Sequence, residues 1–310
     1  MTPLQFLSVS TLILLVACGS SVASAPQPTT AALQSRETPR GSVSARPDCP
    51  RDLSLYARNL HPLVSGAHQI VATASGRVFV LNNDELLEAH QGELVPYLDS
   101  ADLPGERISV ISTWADELFF MSGGSIFSVT GPRHAALLVP SSPSTLAVSA
   151  FAALPNHAFV EGGTGGSARI DASAALMLYP PKSIPQFISE ADFSTDGKGY
   201  FYFVSPLAPF VTRGRNDGGG SGPFLDPFQQ NAVKAAKVWA GHAHPLGGVL
   251  LGTGDGMSYV PEPSKSIAIT LTPPPARFGL NARWRQMATS GDGTVFVLGD
   301  EGVYVAACAG

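Results

Sequence analysis

Six stretches of this chain follow one pattern, and their spacing restricts the fold more than any other feature. They are Gln69–Leu87, Ile108–Val129, Leu146–Ile170, Phe187–Ser205, Val233–Val260 and Trp284–Val305. Each reads as an alternating run, a turn, an apolar run rich in β-branched and aromatic residues, a second turn and a further strand. Period-two alternation broken by Gly, Asn or Asp marks strands joined by tight hairpins. The last copy is the cleanest: ATSGDGTVFVLGDEGVYVA, from Ala288 to Ala306, predicts three strands and two Gly-Asp turns. The first turns are anchored at Gly76, Glu117, His157, Gly197, Gly247 and Gly293, 40 to 50 residues apart. A fourth strand is expected at Glu93–Leu98, Ala135–Val139, Ala175–Tyr179 and Ser266–Leu271.

Four strands recurring at that period are the sequence mark of a β-propeller. Six copies predict an all-β, six-bladed ring of four-stranded antiparallel blades. The sixth copy has only three strands, and the missing one is expected at the front. Leu55–Leu63 precedes the first repeat as Pro96–Pro104 precedes the second. An N-terminal strand would then pair as the outer strand of the last blade, closing the ring and removing its open edges. Composition agrees: 14% charged residues is too few for a helical protein, where Glu, Lys and Arg are frequent. The net charge of −5, with no basic stripe, argues against a nucleic-acid partner. Arg213–Pro223, RGRNDGGGSGP, reads as a loop insertion in the fourth repeat. Trp114, Trp239 and Trp284 fall in or beside first strands, where they suit packing between blades.

Ring closure gives two of the three cysteines a role. Cys49 begins the approach to the closing strand and Cys308 ends the third strand of the same blade. These points are adjacent in an antiparallel pair, so a Cys49–Cys308 disulfide is expected, contributing about 4 to 5 kcal/mol in the chain-entropy model. Secretion allows such a bond. Leu15-Val16-Ala17-Cys18, after the short apolar run Leu12–Val16, resembles the lipobox of bacterial lipoproteins. That resemblance implies a signal peptide over residues 1–17 and a lipid on Cys18, which attaches the chain to a membrane. Met1–Leu7 lacks the Lys or Arg usual in such signals. The other reading of the segment is an ordinary secretory signal cut near Ala23 or Ala25. Ser20, where Asp would imply inner-membrane retention, points to the outer membrane or cell surface. Residues 18–48, mostly Ser, Ala, Pro and Thr, read as a flexible tether, and 49–310 as the propeller domain.

Two local matches extend the resemblance. Ala191–Lys198, ADFSTDGK, is similar to the FSPDGK repeat of TolB-like propellers, and Ser290–Val297, SGDGTVFV, resembles the DGTVYV style of NHL and SMP-30 blades. They imply a six-bladed propeller, and they specify a blade rather than an activity. No pattern matches the metal ligands of SMP-30-like lactonases, and no nucleophile elbow, P-loop, dinucleotide fingerprint or zinc spacing is present.

Candidate site residues are therefore positional. Propeller ligands usually sit where the second-to-third-strand loops and the blade connections meet. Asp84, Glu161, Asp255, Asp300 and Glu301 are expected on such loops. Converging carboxylates could hold Ca2+ as a cofactor, although Asp is also an ordinary turn residue. Arg283 and Arg285, flanking Trp284, would read an anionic ligand or form an ordinary strand edge. His242 and His244 are two imidazoles without a third ligand. Asn216–Gly220 lacks the spaced acids of an EF-hand loop. The leading expectation is a non-catalytic binding module of the cell envelope, engaging a protein or glycan. A metal-dependent hydrolase or lactonase of the SMP-30-like type is the alternative, and assistance to an envelope assembly machine, as by TolB-like propellers, a third.

Overall fold

The apolar runs of the repeat form strands with no solvent face. In the computed structural model Val78–Asn82 and Val295–Gly299 are buried at every position, and Glu117–Ser122 at all but the first. The structure describes residues 51–59, 68–103, 107–140, 147–164, 166–170, 177–179, 192–196, 198–205, 210–215, 221–223, 238–245, 247–253, 256–260 and 285–308. All belong to one compact unit, Gly41–Gly310. Cys18, Cys49, Asp255, Arg283, Trp284 and the strand expected at Ser266–Leu271 lie outside the described residues.

In chain order the strands are β1 (Arg51–Arg58), then β2 (His68–Ala72), β3 (Val78–Asn82), β4 (Glu85–His90) and β5 (Glu93–Leu98). A second group is β6 (Ile108–Trp114), β7 (Glu117–Ser122), β8 (Ser125–Gly131) and β9 (His134–Val139). A third is β10 (Ala147–Leu154), β11 (Ala158–Thr164), β12 (Gly166–Ile170) and β13 (Met177–Tyr179). A fourth is β14 (Asp192–Thr195), β15 (Tyr200–Ser205), β16 (Phe210–Arg215) and β17 (Ser221–Pro223). Then come β18 (Ala240–Ala243), β19 (Val249–Thr253) and β20 (Gly256–Val260), and finally β21 (Gln286–Thr289), β22 (Val295–Gly299) and β23 (Gly302–Cys308). Within each group neighbours in sequence pair antiparallel as a meander. Arg213–Pro223 departs from the loop expected there. Gly214 pairs with Ser221, so its two ends are the third and fourth strands of one sheet.

Consecutive side chains of a second strand enter different layers. Val78 and Val80 pack with Ala288, Phe296 and Leu298 of the last group of strands, whereas Phe79 and Leu81 pack with Ile108, Ile111 and Phe120 of the second group. The pattern continues around the molecule. Phe119 meets Phe159, Val160 meets Phe201, Val204 meets Val249, and Leu250 meets Val295. The first strands touch in the same succession, β2 to β6 to β10 to β14 to β18 to β21 and back to β2.

The two ends of the folded chain share a sheet. β1 pairs antiparallel with β23, from Arg51 opposite Cys308 to Arg58 opposite Gly302, with a bulge between Leu55 and Ala57. Arg58 also pairs with Glu93 of β5, and its N–H reaches the Gly92 carbonyl at 2.8 Å. The result is one eight-stranded sheet, β2-β3-β4-β5-β1-β23-β22-β21. Cys308 thus faces Arg51, two residues after Cys49, across the ladder.

Gly302 is fixed by this junction. Its φ is +142°, and a Cβ there would collide with the Ala57 carbonyl and come within 2.9 Å of the Asn59 amide nitrogen. Gly302→Ala should cost about 2 kcal/mol or more in a denaturant titration. Gly131→Ala, where a Cβ meets nothing within 4 Å, should change stability far less.

Candidate functional site

The first-to-second-strand turns share a second pattern. Thr73 N–H donates to the Arg77 carbonyl at 2.9 Å, Asp196 to Tyr200 at 3.2 Å, His244 to Gly248 at 3.0 Å, and Ser290 to Thr294 at 3.0 Å. The fourth residue of each turn is a glycine at positive φ: Gly76, Gly199, Gly247 and Gly293. Only glycine takes that conformation without strain. Thr73, Asp196 and Ser290 also use their side chains. Thr73 Oγ1 accepts from Arg77 N–H at 3.1 Å. Asp196 Oδ1 accepts from Lys198 and Tyr200 N–H at 2.7 and 3.2 Å, and Oδ2 from the Tyr202 hydroxyl at 3.1 Å. Ser290 Oγ donates to Asp292 Oδ1 at 2.6 Å.

The first strands carry a further set of polar side chains that link one sheet to the next. Gln69 Oε1 accepts from Ile111 N–H at 2.7 Å and Gln286 Oε1 from Ile70 N–H at 3.0 Å. Ser112 Oγ accepts from Ala153 N–H and Ser194 Oγ from Ala243 N–H, at 2.9 and 2.7 Å. Thr113 and Thr289 hydroxyls donate to the Ala72 and Ala243 carbonyls, each at 2.9 Å. The spacing holds the signal: Gln69 and Gln286 each stand four residues before their turn, and Ser194 two before Asp196. A lone polar residue in a strand otherwise reads as a solvent position, and this is how sequence reasoning missed it.

The ends of five first strands enclose a cavity of about 240 Å3. Trp114, Ser112, Thr113, Ser194, Asp196, His242, Thr289 and Ser290 line it, with apolar walls from Val71, Ala72, Phe193 and Pro245. Asp196 is 4% exposed. Burial and the adjacent Asp196 carboxylate push the Tyr202 phenol up, so it stays a hydrogen-bond donor to that carboxylate. His242 Nδ1 lies 3.0 Å from the Ala243 carbonyl and 3.2 Å from Thr289 Oγ1. A carbonyl only accepts, so Nδ1 carries the proton and Nε2 keeps its lone pair. The ring borders the cavity yet sits deep among the strands, and burial lowers its pKa from 6.5 to about 4. It is a neutral acceptor at physiological pH. At the rim, burial raises the pKa of Asp292, but hydrogen bonds from the Ser290 hydroxyl and the Thr294 N–H outweigh it and hold the carboxyl below its usual range.

The residues expected to bind from sequence lie elsewhere. Asp84 and Asp300 sit on second-to-third-strand turns, at the opposite ends of the first strands from the cavity. Asp84 Oδ2 is 3.7 Å from Arg107 Nε, and Asp300 Oδ1 is 3.1 Å from Arg285 Nη2. Glu301 accepts from the Tyr304 hydroxyl at 3.2 Å. Glu161 is inside β11 rather than on a loop, opposite Phe151 and Ala168, with no exposed surface. Of the set, the structure brings together Arg285 and Asp300. Among the described residues no three His, Cys, Asp or Glu side chains meet as a metal would require. His242 and His244 diverge: His244 packs on Tyr259, its ring 5.1 Å away.

No family model matches the sequence, and no curated protein is similar to it. Solved structures are similar in fold. A streptogramin B lyase superposes with a TM-score of 0.56 at 11% identity, over 84% of this chain and 98% of the lyase. A gluconolactonase from Xanthomonas campestris gives 0.52 at 11% identity, over 84% and 96%. YCF48, solved bound to D1 peptide, gives 0.50 at 12% identity, over 84% and 96%. Identities this low speak for architecture alone, and the architecture is that of an all-β, propeller-type protein.

His242 makes stability depend on pH. The folded state holds fewer protons than the unfolded chain between the two pKa values, so stability rises with pH across that window. Its contribution is full above pH 6.5 and is lost as pH falls to about 4. Between those pH values the wild type should lose about 2 to 3 kcal/mol more than His242→Asn in paired denaturant titrations. Parallel curves for the two proteins would show that the ring is not held neutral.

Proposed function

We propose that the chain is a six-bladed β-propeller of four-stranded blades, held to the bacterial cell envelope by a lipid on Cys18, that acts as a binding module through the cavity at the first-turn face. The succession of contacts from β2 around to β21 and back to β2 supports six blades. The observation that carries the binding reading is the lining of the cavity. Hydroxyls, an indole, an imidazole acceptor and apolar walls converge on it from five first strands. Scattered polar groups on apolar walls are the make-up of a recognition pocket. The one carboxylate among its described lining residues, Asp196, is already committed to three hydrogen bonds. Of the structurally similar proteins, one was solved bound to a peptide and two are enzymes by name. The lining, rather than that likeness, decides for binding.

Two measurements test the proposal together. Metabolic labelling with palmitate should mark the wild type and leave Cys18→Ser unlabelled. A photo-crosslinking residue at position 114 should capture an envelope protein or glycan in intact cells, whereas one at the exposed Leu137, 54% accessible on β9, should not. Lactone hydrolysis that a chelator abolishes would reverse the functional reading in favour of a metal-dependent hydrolase.

A further inference from the structure

We propose that the cavity recognises one cationic group, an amine or a guanidinium, presented by its ligand. This rests on the cavity being the binding site. Its volume of about 240 Å3 falls below the 300 to 1,000 Å3 usual for pockets that take a whole drug-sized ligand. It is sized for one side-chain-like group while the rest of the ligand stays outside. Two of the groups beside it, Asp196 and His242, keep acceptor capacity. A carboxylate offers about four lone-pair sites, and the hydrogen bonds to Asp196 fill three. With Nδ1 held by the Ala243 carbonyl, His242 Nε2 is left as an acceptor beside the cavity.

Charge points the same way. Among the described residues lining the cavity none is Lys or Arg. Asp116 and Asp292 are exposed and follow the lining residues Ala115 and Gly291 directly, placing two further carboxylates at the mouth. Asp116 Oδ1 is steered there by the Ser75 N–H at 2.7 Å. The basic groups on the same turns are drawn elsewhere: Arg77 to Glu88 at 2.9 Å, and His157 to Glu117 at 3.1 Å. Lys198 is exposed and has its own partner. An anionic ligand would meet repulsion from the Asp116, Asp196 and Asp292 carboxylates. A cation gains from the carboxylates, and the lining includes the Trp114 indole, the aromatic ring type most favourable to cations.

Such a group comes from one of two sources, a free diamine or a Lys or Arg side chain of a peptide. Calorimetry and Trp114 fluorescence on the whole chain, at low salt, separate them. The probes are cadaverine, a blocked Gly-Lys-Gly peptide and the same peptide acetylated on the lysine. Binding of the lysine peptide alone assigns a side chain, and binding of cadaverine as well assigns the cation itself. Both outcomes support the proposal. Acetylation and Asp196→Asn should each weaken binding about tenfold or more. If the Asn variant does not fold, the exposed pair Asp116→Asn with Asp292→Asn should weaken binding severalfold and flatten its salt dependence. Equal binding of the acetylated peptide overturns cation recognition and leaves the pocket standing. No probe binding, while position 114 still crosslinks in cells, also overturns cation recognition alone. Neither binding nor crosslinking removes both readings.

Discussion

Each second strand is pressed between two other groups of strands, and the rest of the structure follows from that. Its even and odd side chains belong to different cores: Val78 and Val80 to one, Phe79 and Leu81 to the other. A one-residue slip would exchange the two sets and misfit both layers. The cores are therefore coupled in series, and no sheet can shift register without disturbing both neighbours. The strands that carry this burden are the most apolar of each group, which is why Phe, Val and Leu dominate them.

The first strands answer the opposite problem. They end each sheet on the inside, where no further strand supplies hydrogen bonds, and unpaired buried amides are costly. Gln69, Gln286, Ser112 and Ser194 supply them from the adjoining sheet. The cavity is built from the same economy. Ser290 and Asp196 pin their turns and line the space between them, so the groups available to a ligand are also the groups that shape the turns. Substitutions there couple binding to stability more tightly than in pockets whose lining hangs from loops.

Much of this is legible in the amino-acid sequence. The apolar runs, the turn glycines and the recurrent spacing locate the strands closely; the strand expected at Glu93–Leu98 coincides with β5. The strand that joins the two ends is also visible, although it occupies Arg51–Arg58, earlier than its likeness to Pro96–Pro104 suggests. The Arg213–Pro223 stretch misleads because its glycines resemble a linker, while Gly214 in fact makes room for the Phe201 ring beneath it. Glu161 misleads for the same reason: the glycines after it look like a turn, yet Gly162 and Gly163 continue the ladder with Ser167 and Gly166. The cavity leaves little trace in sequence. Acids on hairpin turns draw attention, but Asp84 and Asp300 are neutralised by arginines that stand just before first strands. The hydroxyls, indole and imidazole that meet in space come from four separate repeats, and no local motif unites them.

The pairing of β1 with β23 also has a consequence in time. The ladder from Arg51 opposite Cys308 to Arg58 opposite Gly302 joins the first described strand to the last. A chain emerging from its N-terminus makes β1 first and its partner last, so β1 stays an unpaired edge while all the other sheets form. Contacts of such sequence separation are the slowest to close, and an unpaired edge invites pairing with a second chain in the interval.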